Sequence, residues 1–183
     1  MARVVAGTLG GRRLAVPTGR STRPTSERVR EALFSALESM RGSLAGAAFL
    51  DLYAGSGAVG IEAASRGAAR VTCVERDPRA LAVVRTNVES LGLTTVEVSS
   101  APVVALLGDK PGTPFDVVYV DPPYAEPVDD VLAMLGANAW LADSAVVVVE
   151  RATRDSAPTW PAGLVADRSR RYGDTTLWYG RRP

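Results

Sequence analysis

The sequence of 183 residues contains no histidine and a single cysteine. The absence of histidine excludes Ser-His-Asp and Cys-His catalysis and any zinc site built on imidazole. The one cysteine, Cys73, excludes an internal disulfide, as is typical of a protein in a reducing compartment. It lies inside the apolar run VTCV, which predicts a small core residue rather than an exposed and activated thiolate. The chemistry of this chain therefore uses neither an imidazole nor a thiolate.

Long apolar runs are also absent. None approaches the roughly 20 residues that a membrane span needs, and the first residues, MARVVAGTLGGRR, lack the apolar stretch of a secretory signal. We therefore expect a cytoplasmic protein. The length favours one domain, at the usual prior of roughly 150 residues per domain, with room for a small extension.

Lysine is nearly absent, and Lys110 is the only one. The formal net charge of +1 hides an uneven distribution, because the segment from Arg3 to Arg30 holds many arginines and one acid, Glu27. Such clusters attract a phosphate backbone. A merely solvated arginine surface is the alternative, but the lack of acids where the arginines gather favours nucleic acid. A second basic cluster consists of Arg168, Arg170, Arg171, Arg181 and Arg182.

We interpret residues 1–41 as a basic N-terminal extension. Two short apolar runs around a glycine-rich turn, RVVAG and RRLAV, predict a β-hairpin. A helix follows, for which Thr25 is the predicted N-cap and Val29, Leu33 and Leu37 mark the apolar face.

Beyond residue 42, short valine-rich strands alternate with helices. The predicted strands are AAFLDLY, RVTCVE, TTVEVSS, FDVVYV and SAVVVVE, and Asp77 and Pro78 mark the start of the helix after the second strand. Apolar strands without polar alternation indicate a parallel sheet that is covered on both faces. The fold class is therefore α/β, with a mostly parallel, doubly wound, Rossmann-like sheet. The segments LVADRSRRY and TTLWYGR predict a terminal antiparallel hairpin.

A glycine turn follows the first of these strands. Asp51 precedes Gly55, Gly57 and Gly60, which satisfy the G-x-G-x-x-G pattern, and Glu75 ends the next strand. Ligands of an open α/β sheet bind beyond the carboxyl ends of the strands, which is where these residues lie. A nicotinamide dinucleotide is one candidate ligand. A tight turn with a helix-capping acid is the non-functional alternative.

The carboxylate of Asp51 argues against a dinucleotide, since it would repel the pyrophosphate that the glycine turn must face. Asp51 suits a ligand with a cationic head, and Glu75 suits the two hydroxyls of a ribose. A ligand with an amino-acid head, a ribose and no phosphate is S-adenosylmethionine. We therefore predict this cofactor.

The stretch Asp121-Pro122-Pro123-Tyr124 follows the fourth apolar strand. An exocyclic amine of a nucleobase is a poor nucleophile, because its lone pair is delocalised into the ring. The Asp121 side chain and the Pro122 carbonyl are two acceptors for the N–H groups of such an amine, and the prolines hold them in place. Tyr124 can stack on the base, at a gain of roughly 1–3 kcal/mol. A diproline turn with Tyr124 as ordinary packing is the alternative interpretation.

The chain resembles the class I S-adenosylmethionine-dependent methyltransferases that act on exocyclic amines through an Asn/Asp-Pro-Pro-Tyr/Phe motif. More specifically, blocks along nearly the whole chain resemble the RsmD family, the bacterial 16S ribosomal RNA guanine-N2 methyltransferases. These blocks are RVVAGTLGGRRL, RPTSERVREALFSAL, LDLYAGSGAVGIEAASRGA, VERDP, YVDPPY and RYGDTTL. The resemblance implies methylation of the exocyclic N2 of one guanine in 16S rRNA, on an assembled or partly assembled small subunit.

The same resemblance implies a role for each part of the chain. Residues 42–183 would be the catalytic domain, and residues 1–41 would bind RNA and complete the cofactor pocket. The implied cofactor residues are Thr25, Arg28, Asp51, Tyr53, Gly55, Gly57, Glu75 and Arg76, with Arg76 along the adenine. The implied catalytic residues are Asp121, Pro122 and Tyr124, and the implied RNA-binding residues are Arg3, Arg12, Arg13, Arg20 and Arg23.

One departure from the wider class concerns the adenine of the cofactor. Where many relatives place Asn or Asp after the third strand, this chain has VSSAP, so that Ser100 or a backbone amide such as that of Ala101 would substitute. Two rival functions stay open. A DNA adenine-N6 methyltransferase shares the motif but usually carries a separate target-recognition segment, and a ribosome assembly factor would bind the cofactor without catalysis. We expect a monomer.

Overall fold

The computed structural model describes residues 2–18, 25–123 and 126–183. The predicted N-terminal hairpin is confirmed, although its strands are short: β1 (Ala2–Arg3) pairs antiparallel with β2 (Arg13–Leu14).

Helix α1 (Glu27–Arg41) follows the hairpin, and its N-cap is Ser26, one residue later than predicted. The Ser26 hydroxyl accepts a hydrogen bond from the Val29 amide at 3.2 Å. The hydroxyl of Thr25 instead donates to Glu150, which is remote in the sequence. The predicted cap was wrong because both residues are good caps, and a distant partner decided between them.

The core is a seven-stranded sheet with the order β5-β4-β3-β6-β7-β9-β8. The first five strands of this order run parallel, β9 runs antiparallel to β7, and β8 runs antiparallel to β9. The predicted fold class and the terminal hairpin are therefore confirmed. The strands are β3 (Ala48–Leu52), β4 (Arg70–Val74), β5 (Val96–Ser99), β6 (Phe115–Val120), β7 (Leu141–Ala152), β8 (Val165–Tyr172) and β9 (Thr175–Arg181).

Helices cover both faces of this sheet. One face packs against α1, α2 (Ala58–Ser65) and α3 (Pro78–Ser90), and the other packs against α4 (Val103–Gly108) and α5 (Val128–Ala137). The Asp77 side chain caps α3, as the sequence predicts. Among the described residues, no helix is both long and apolar enough to cross a membrane.

The strand order places a topological switch point between β3 and β6. From β3 the chain continues towards β4 and β5 on one side, and from β6 it continues towards β7 on the other. In doubly wound sheets the crevice at this point, beyond the carboxyl ends of the strands, is the usual ligand site. Asp51 lies near the end of β3 and Asp121 follows β6, so both lie at this crevice.

The N-terminal hairpin is anchored to α2 through buried polar side chains. The carboxylate of Glu62, fully buried, accepts hydrogen bonds from the backbone amides of Val5 and Ala6 at 2.7 and 2.9 Å. The hydroxyl of Ser65 accepts one from the Leu9 amide at 2.9 Å. These bonds satisfy backbone groups that would otherwise be buried without partners.

Asn87 on α3 anchors the exit of the hairpin in the same way. Its side-chain carbonyl accepts a hydrogen bond from the Ala15 amide at 2.8 Å. Its amide group donates to the carbonyls of Ala15 at 3.0 Å and Ser56 at 2.9 Å. Asn87 therefore ties the extension directly to the glycine turn that contains Ser56.

Glu62→Ala tests this anchoring. The substitution leaves the amides of Val5 and Ala6 buried without acceptors, at roughly 1–3 kcal/mol each. We expect the free energy of unfolding, measured by chemical denaturation, to fall by about 2–4 kcal/mol. Amide hydrogen exchange in the hairpin should accelerate more than in β3 or β6. Glu62→Gln is the matched control, because it keeps one acceptor oxygen and should lose less. Unchanged exchange at Val5 and Ala6 in Glu62→Ala would contradict the anchoring.

Candidate active site

The turn after β3 contains three residues in the left-handed backbone conformation. Tyr53, Gly55 and Gly57 have φ angles of 66°, 57° and 77°. For Tyr53 this conformation costs roughly 1–2 kcal/mol, because its Cβ crowds the following carbonyl. A Cβ on Gly57 would lie 2.4 Å from Cγ2 of Val84, whereas a Cβ on Gly55 would meet nothing within 4 Å. Gly57 is thus required by packing, and Gly55 faces open space beside the strand ends.

Gly60 allows α2 to lie close against the sheet. Its amide donates a hydrogen bond of 2.8 Å to Oδ2 of Asp51. A Cβ at this position would lie 2.4 Å from the sulfur of Cys73, which is buried in the core as predicted. The third glycine of the pattern therefore serves helix packing, and it places a backbone donor on the Asp51 carboxylate.

The carboxyl group of Asp51 is buried, with 1% of the residue exposed. Burial raises its pKa to about 7, the hydrogen bond from Gly60 lowers it, and the neighbouring Glu75 raises it further. A buried carboxylate is stabilised by a cationic ligand group and destabilised by an anionic one. This electrostatic setting fits an ammonium group and opposes a pyrophosphate.

The carboxylate of Glu75 is held from two sides. Its Oε2 accepts a hydrogen bond from the Gly55 amide, and its Oε1 accepts one from the Asp77 amide, both at 2.8 Å. The Glu75 amide donates to the Ser99 carbonyl at 3.0 Å, so the end of β5 lies alongside. The two residues that follow Ser99 in the chain were predicted to lie near the adenine. They are Ser100, which is exposed, and Ala101, which is half-buried.

A second network links the loop after β4 to the loop after β6. Arg76 forms an ion pair of 2.9 Å with Glu126. Burial raises the pKa of the Tyr53 hydroxyl, and the nearby Glu126 carboxylate raises it further. Glu126 also donates its amide to the Pro123 carbonyl at 2.9 Å. The structure therefore brings Tyr53 and Arg76 together, through a glutamate that the sequence patterns did not single out.

Asp121 lies at the same crevice, directly after β6. Its amide approaches the Leu52 carbonyl of β3 at 3.5 Å. The pKa of its carboxyl is raised well above the usual value, first by burial and then by Glu150 and Asp51. Pro122 is buried and Pro123 is exposed. Tyr124, the remaining residue of the motif, lies outside the described residues.

Three residues beside Asp121 form a hydrogen-bonded group. The hydroxyls of Tyr119 and Thr25 both donate to Oε2 of Glu150, and the Thr25 bond measures 3.2 Å. Burial raises the pKa of Tyr119, and so does the charge of Glu150. The structure thus places Thr25 on the Asp121 side of the crevice. Glu150 and Tyr119 were missed, although Glu150 ends the apolar run SAVVVVE much as Asp121 follows the run FDVVYV.

The two arginines at the start of α1 have opposite surroundings. Arg28 is exposed at a groove that Arg3 and Glu27 also line, and its predicted cofactor contact stays a prediction. Arg30 is fully buried, and its Nη2 donates to the carbonyl of Arg3 at 2.6 Å. Burial lowers the pKa of its guanidinium, against the opposing effect of Glu62. Arg30 links α1 to the hairpin, a role that helical spacing alone did not reveal.

The predicted RNA-binding arginines that the structure describes lie on the surface of the hairpin. Arg3, Arg12 and Arg13 are exposed, and Arg3 forms an ion pair of 2.9 Å with Glu27. Arg20 and Arg23 fall outside the described residues. Three residues of the second basic cluster lie on the edge strand β8, where Arg168 is half-buried and Arg170 and Arg171 are exposed. Arg181 ends the neighbouring strand β9.

The switch-point crevice, the glycine turn with its two acids and the Asp-Pro-Pro segment define the class of this protein. It is a methyltransferase with a Rossmann-like fold. The chain belongs to the family described as conserved hypothetical protein 95, which matches residues 2–181. The resemblance to the RsmD family is thereby confirmed.

Two relatives whose names state a function align with most of this chain. Ribosomal RNA small subunit methyltransferase D of Escherichia coli (strain K12) is 37% identical over 169 residues, which cover 92% of this chain and 83% of the relative. The protein of the same name from Haemophilus influenzae is 34% identical, over 81% of this chain and 77% of the relative.

Solved structures show the same fold. The structure of yhhF from Escherichia coli superposes with a TM-score of 0.88 at 34% identity, covering 98% of this chain and 97% of that one. A hypothetical protein from Thermus thermophilus superposes with a TM-score of 0.80 at 32% identity, covering 98% of both chains.

Asp51→Asn tests the electrostatics of the crevice. Because the pKa of Asp51 is raised to about 7 in the folded state, the folded protein holds a proton that the unfolded chain has lost between about pH 4 and pH 7. The contribution of Asp51 to the free energy of unfolding therefore falls as the pH rises through this window. The neutral amide in the Asp51→Asn variant does not titrate, so this loss of stability with rising pH should disappear.

As the pH rises from 5 to 8 in the absence of cofactor, we expect the free energy of unfolding of Asp51→Asn to increase by roughly 2–3 kcal/mol relative to that of the wild type. Urea denaturation of both proteins at each pH measures the difference. If the difference in the free energy of unfolding between the two proteins is the same at pH 5 and pH 8, Asp51 does not titrate in this range.

Proposed function

We propose that this protein transfers a methyl group from S-adenosylmethionine to the exocyclic N2 of a guanine in 16S rRNA of the small ribosomal subunit. The observation that carries the proposal is the placement of Asp121 and Pro122 across the switch point from Asp51 and Glu75. Two sites, one for a cofactor and one for an amine, then share a single crevice. The names of the relatives support ribosomal RNA as the substrate.

The cofactor site fits S-adenosylmethionine by its charge and its shape. Asp51 supplies a buried anion for the ammonium group, and the fixed carboxylate of Glu75 supplies acceptors for the ribose hydroxyls. Open space at Gly55 lets the ligand approach the backbone. Tyr53 would line the methionine and ribose part of the cofactor, and Arg76, held by its ion pair with Glu126, would lie along the adenine. When bound, this cofactor supplies an electrophilic methyl group on a positively charged sulfur.

The amine site holds the nucleophile through two acceptors. The Asp121 carboxylate and the Pro122 carbonyl each accept one N–H of the exocyclic amine, which draws the nitrogen towards tetrahedral geometry and localises its lone pair. That lone pair would then form the new N–C bond to the methyl group that the cofactor supplies, and the bonding pair of the broken C–S bond would stay with the sulfur. The nitrogen then loses one proton, which Asp121 accepts before release to solvent.

Asp121→Ala tests the chemical step. It removes the side-chain acceptor while the cofactor residues stay in place, so we expect turnover to fall by at least about 100-fold and S-adenosylmethionine affinity to change by no more than a few-fold. Asp121→Asn is the matched control. It retains one acceptor oxygen, and we expect a smaller loss. A rate close to wild type in Asp121→Ala would remove Asp121 from the mechanism.

The activity of these variants is measured in an assay that also identifies the methylated nucleoside. Small ribosomal subunits from a strain that lacks the protein are incubated with labelled S-adenosylmethionine, and the modified nucleoside is determined. N2-methylguanosine is expected. N6-methyladenosine would keep the site and change the substrate. Cofactor binding without any transfer to subunits or to DNA would favour a non-catalytic assembly factor.

The exposed arginines of the hairpin provide a basic surface for RNA in this proposal. Arg12 precedes β2, Arg13 is its first residue, and both are exposed. The hydrogen bonds of Glu62 and Asn87 hold the hairpin against the helices next to the glycine turn. A fixed basic hairpin beside the crevice would hold the rRNA while its target base enters. Phosphate contacts of this kind position a nucleic acid without reading its sequence.

Arg12→Gln and Arg13→Gln test this surface. Each removes one cation, so we expect weaker RNA binding and a decrease of about 1 in the slope of log affinity against log salt, measured by fluorescence anisotropy. Lys110→Gln is the control, since it removes one exposed cation from the loop before the amino end of β6. Equal effects of all three substitutions would contradict a specific role of the hairpin.

A further inference from the structure

Acidic residues lie near the carboxyl ends of three neighbouring strands, with Asp51 two residues before the level of the other two. Asp51 on β3 pairs with Tyr119 on β6, and Tyr119 in turn pairs with Val148 on β7. Continued by two residues, this register sets Asp121 beside Glu150. Paired residues of parallel strands point to the same face of a sheet. Glu150 therefore lies next to Asp121 and on the same face, above the strand ends where the amine is proposed to bind.

The carboxylate of Glu150 is oriented by its neighbours. Both hydroxyl donors, from Tyr119 and Thr25, bond to Oε2, and no described residue donates to Oε1. Glu150 is half-buried, so this second oxygen is not sealed inside the core. Burial raises the pKa of Glu150, and the hydrogen bonds from the two hydroxyls offset only part of this rise. Both hydroxyls donate to the carboxyl group, so it acts as an acceptor towards its neighbours.

Guanine and adenine differ at the atom next to the amine that is methylated. In guanine, N1 carries a hydrogen and stands beside the N2 amine, so that two adjacent donors face the enzyme. In adenine, N1 carries a lone pair beside the N6 amine, so that an acceptor stands next to a donor. A second acceptor beside Asp121 therefore distinguishes the two bases, because it attracts the N1–H of guanine and repels N1 of adenine.

We propose that Glu150 is a specificity-determining residue, whose Oε1 accepts the N1–H of the guanine that Asp121 and Pro122 hold by its N2 amine. This inference rests on the proposed function. It assigns Tyr119 and Thr25 as positioning residues that fix the direction of Oε1. It also explains why a buried tyrosine hydroxyl donates to a carboxylate at the substrate side of the sheet.

Glu150→Gln separates this role from a structural one. The amide oxygen can still accept the hydroxyls of Tyr119 and Thr25, and the amide nitrogen then replaces Oε1 and turns a donor towards the donor on N1. We expect kcat/KM on small subunits to fall roughly 10- to 100-fold, since a hydrogen bond to a charged group is lost and a buried donor loses its partner. S-adenosylmethionine affinity, from calorimetry, and Tm should stay near wild type. Glu97→Gln, at an exposed acid on β5, is the control.

The base preference gives a second readout. Subunits reconstituted with adenine in place of the target guanine should accept no methyl group from wild type. Glu150→Gln should methylate them detectably, because its amide can donate to N1 of adenine. A purely structural role of Glu150 would not change this preference.

The outcomes distinguish the inference from the proposed function. If wild type yields N2-methylguanosine and Glu150→Gln keeps its full kcat/KM, the inference is wrong and the proposed function stands. If wild type yields another nucleoside, the proposed function fails, and the inference fails with it. If Glu150→Gln does not fold, Tyr119→Phe decides. A several-fold loss of kcat/KM at unchanged cofactor affinity supports the inference, and an unchanged kcat/KM overturns it.

Discussion

The close contact between helix α2 and the sheet at Gly60 is the constraint on which the rest of the structure depends. Any side chain at this position would collide with the sulfur of Cys73. The absence of one lets the Gly60 amide reach Asp51 and brings the start of α2 to the glycine turn. The same helix carries Glu62 and Ser65, which hold the N-terminal hairpin. The absence of a side chain at Gly60 thus helps to position both the glycine turn and the N-terminal extension.

The crevice concentrates carboxyl groups from three neighbouring strands. Asp51, Asp121 and Glu150 each have a raised pKa, in each case first because of burial. Such an arrangement costs stability in the unliganded protein, since desolvated acids disfavour their charged form. A cofactor with a cationic head and a base rich in N–H donors would offset this cost. The loss of stability at the site and the proposed preference for cationic and N–H-rich ligands would therefore have the same electrostatic origin.

Much of the site could be predicted because its residues follow local patterns. Asp51, Glu75 and Asp121 each lie at the end of a short apolar run, and glycines or prolines mark the turns that follow. Glu150 ends a similar run but precedes no motif, so its position beside Asp121 is evident only from the pairing of β7 with β6. Thr25 was predicted to cap α1 and instead bonds to Glu150, which lies 125 residues away. The length of that separation is why local propensity could not decide between Thr25 and Ser26.

The sequence by itself determined the order of helices and strands, the parallel sheet and the position of the two motifs, because apolar periodicity, glycine and proline act over a few residues. Only the tertiary structure decided which polar groups are buried. Arg28 and Arg30 are two positions apart on one helix, yet one is exposed and the other has no contact with solvent. The burial of Arg30 and Glu62 depends on the hairpin that covers them, and the orientation of Glu150 depends on donors from two distant segments. A polar side chain is tolerated in such places only when remote residues supply its partners, and that is a property of the assembled fold.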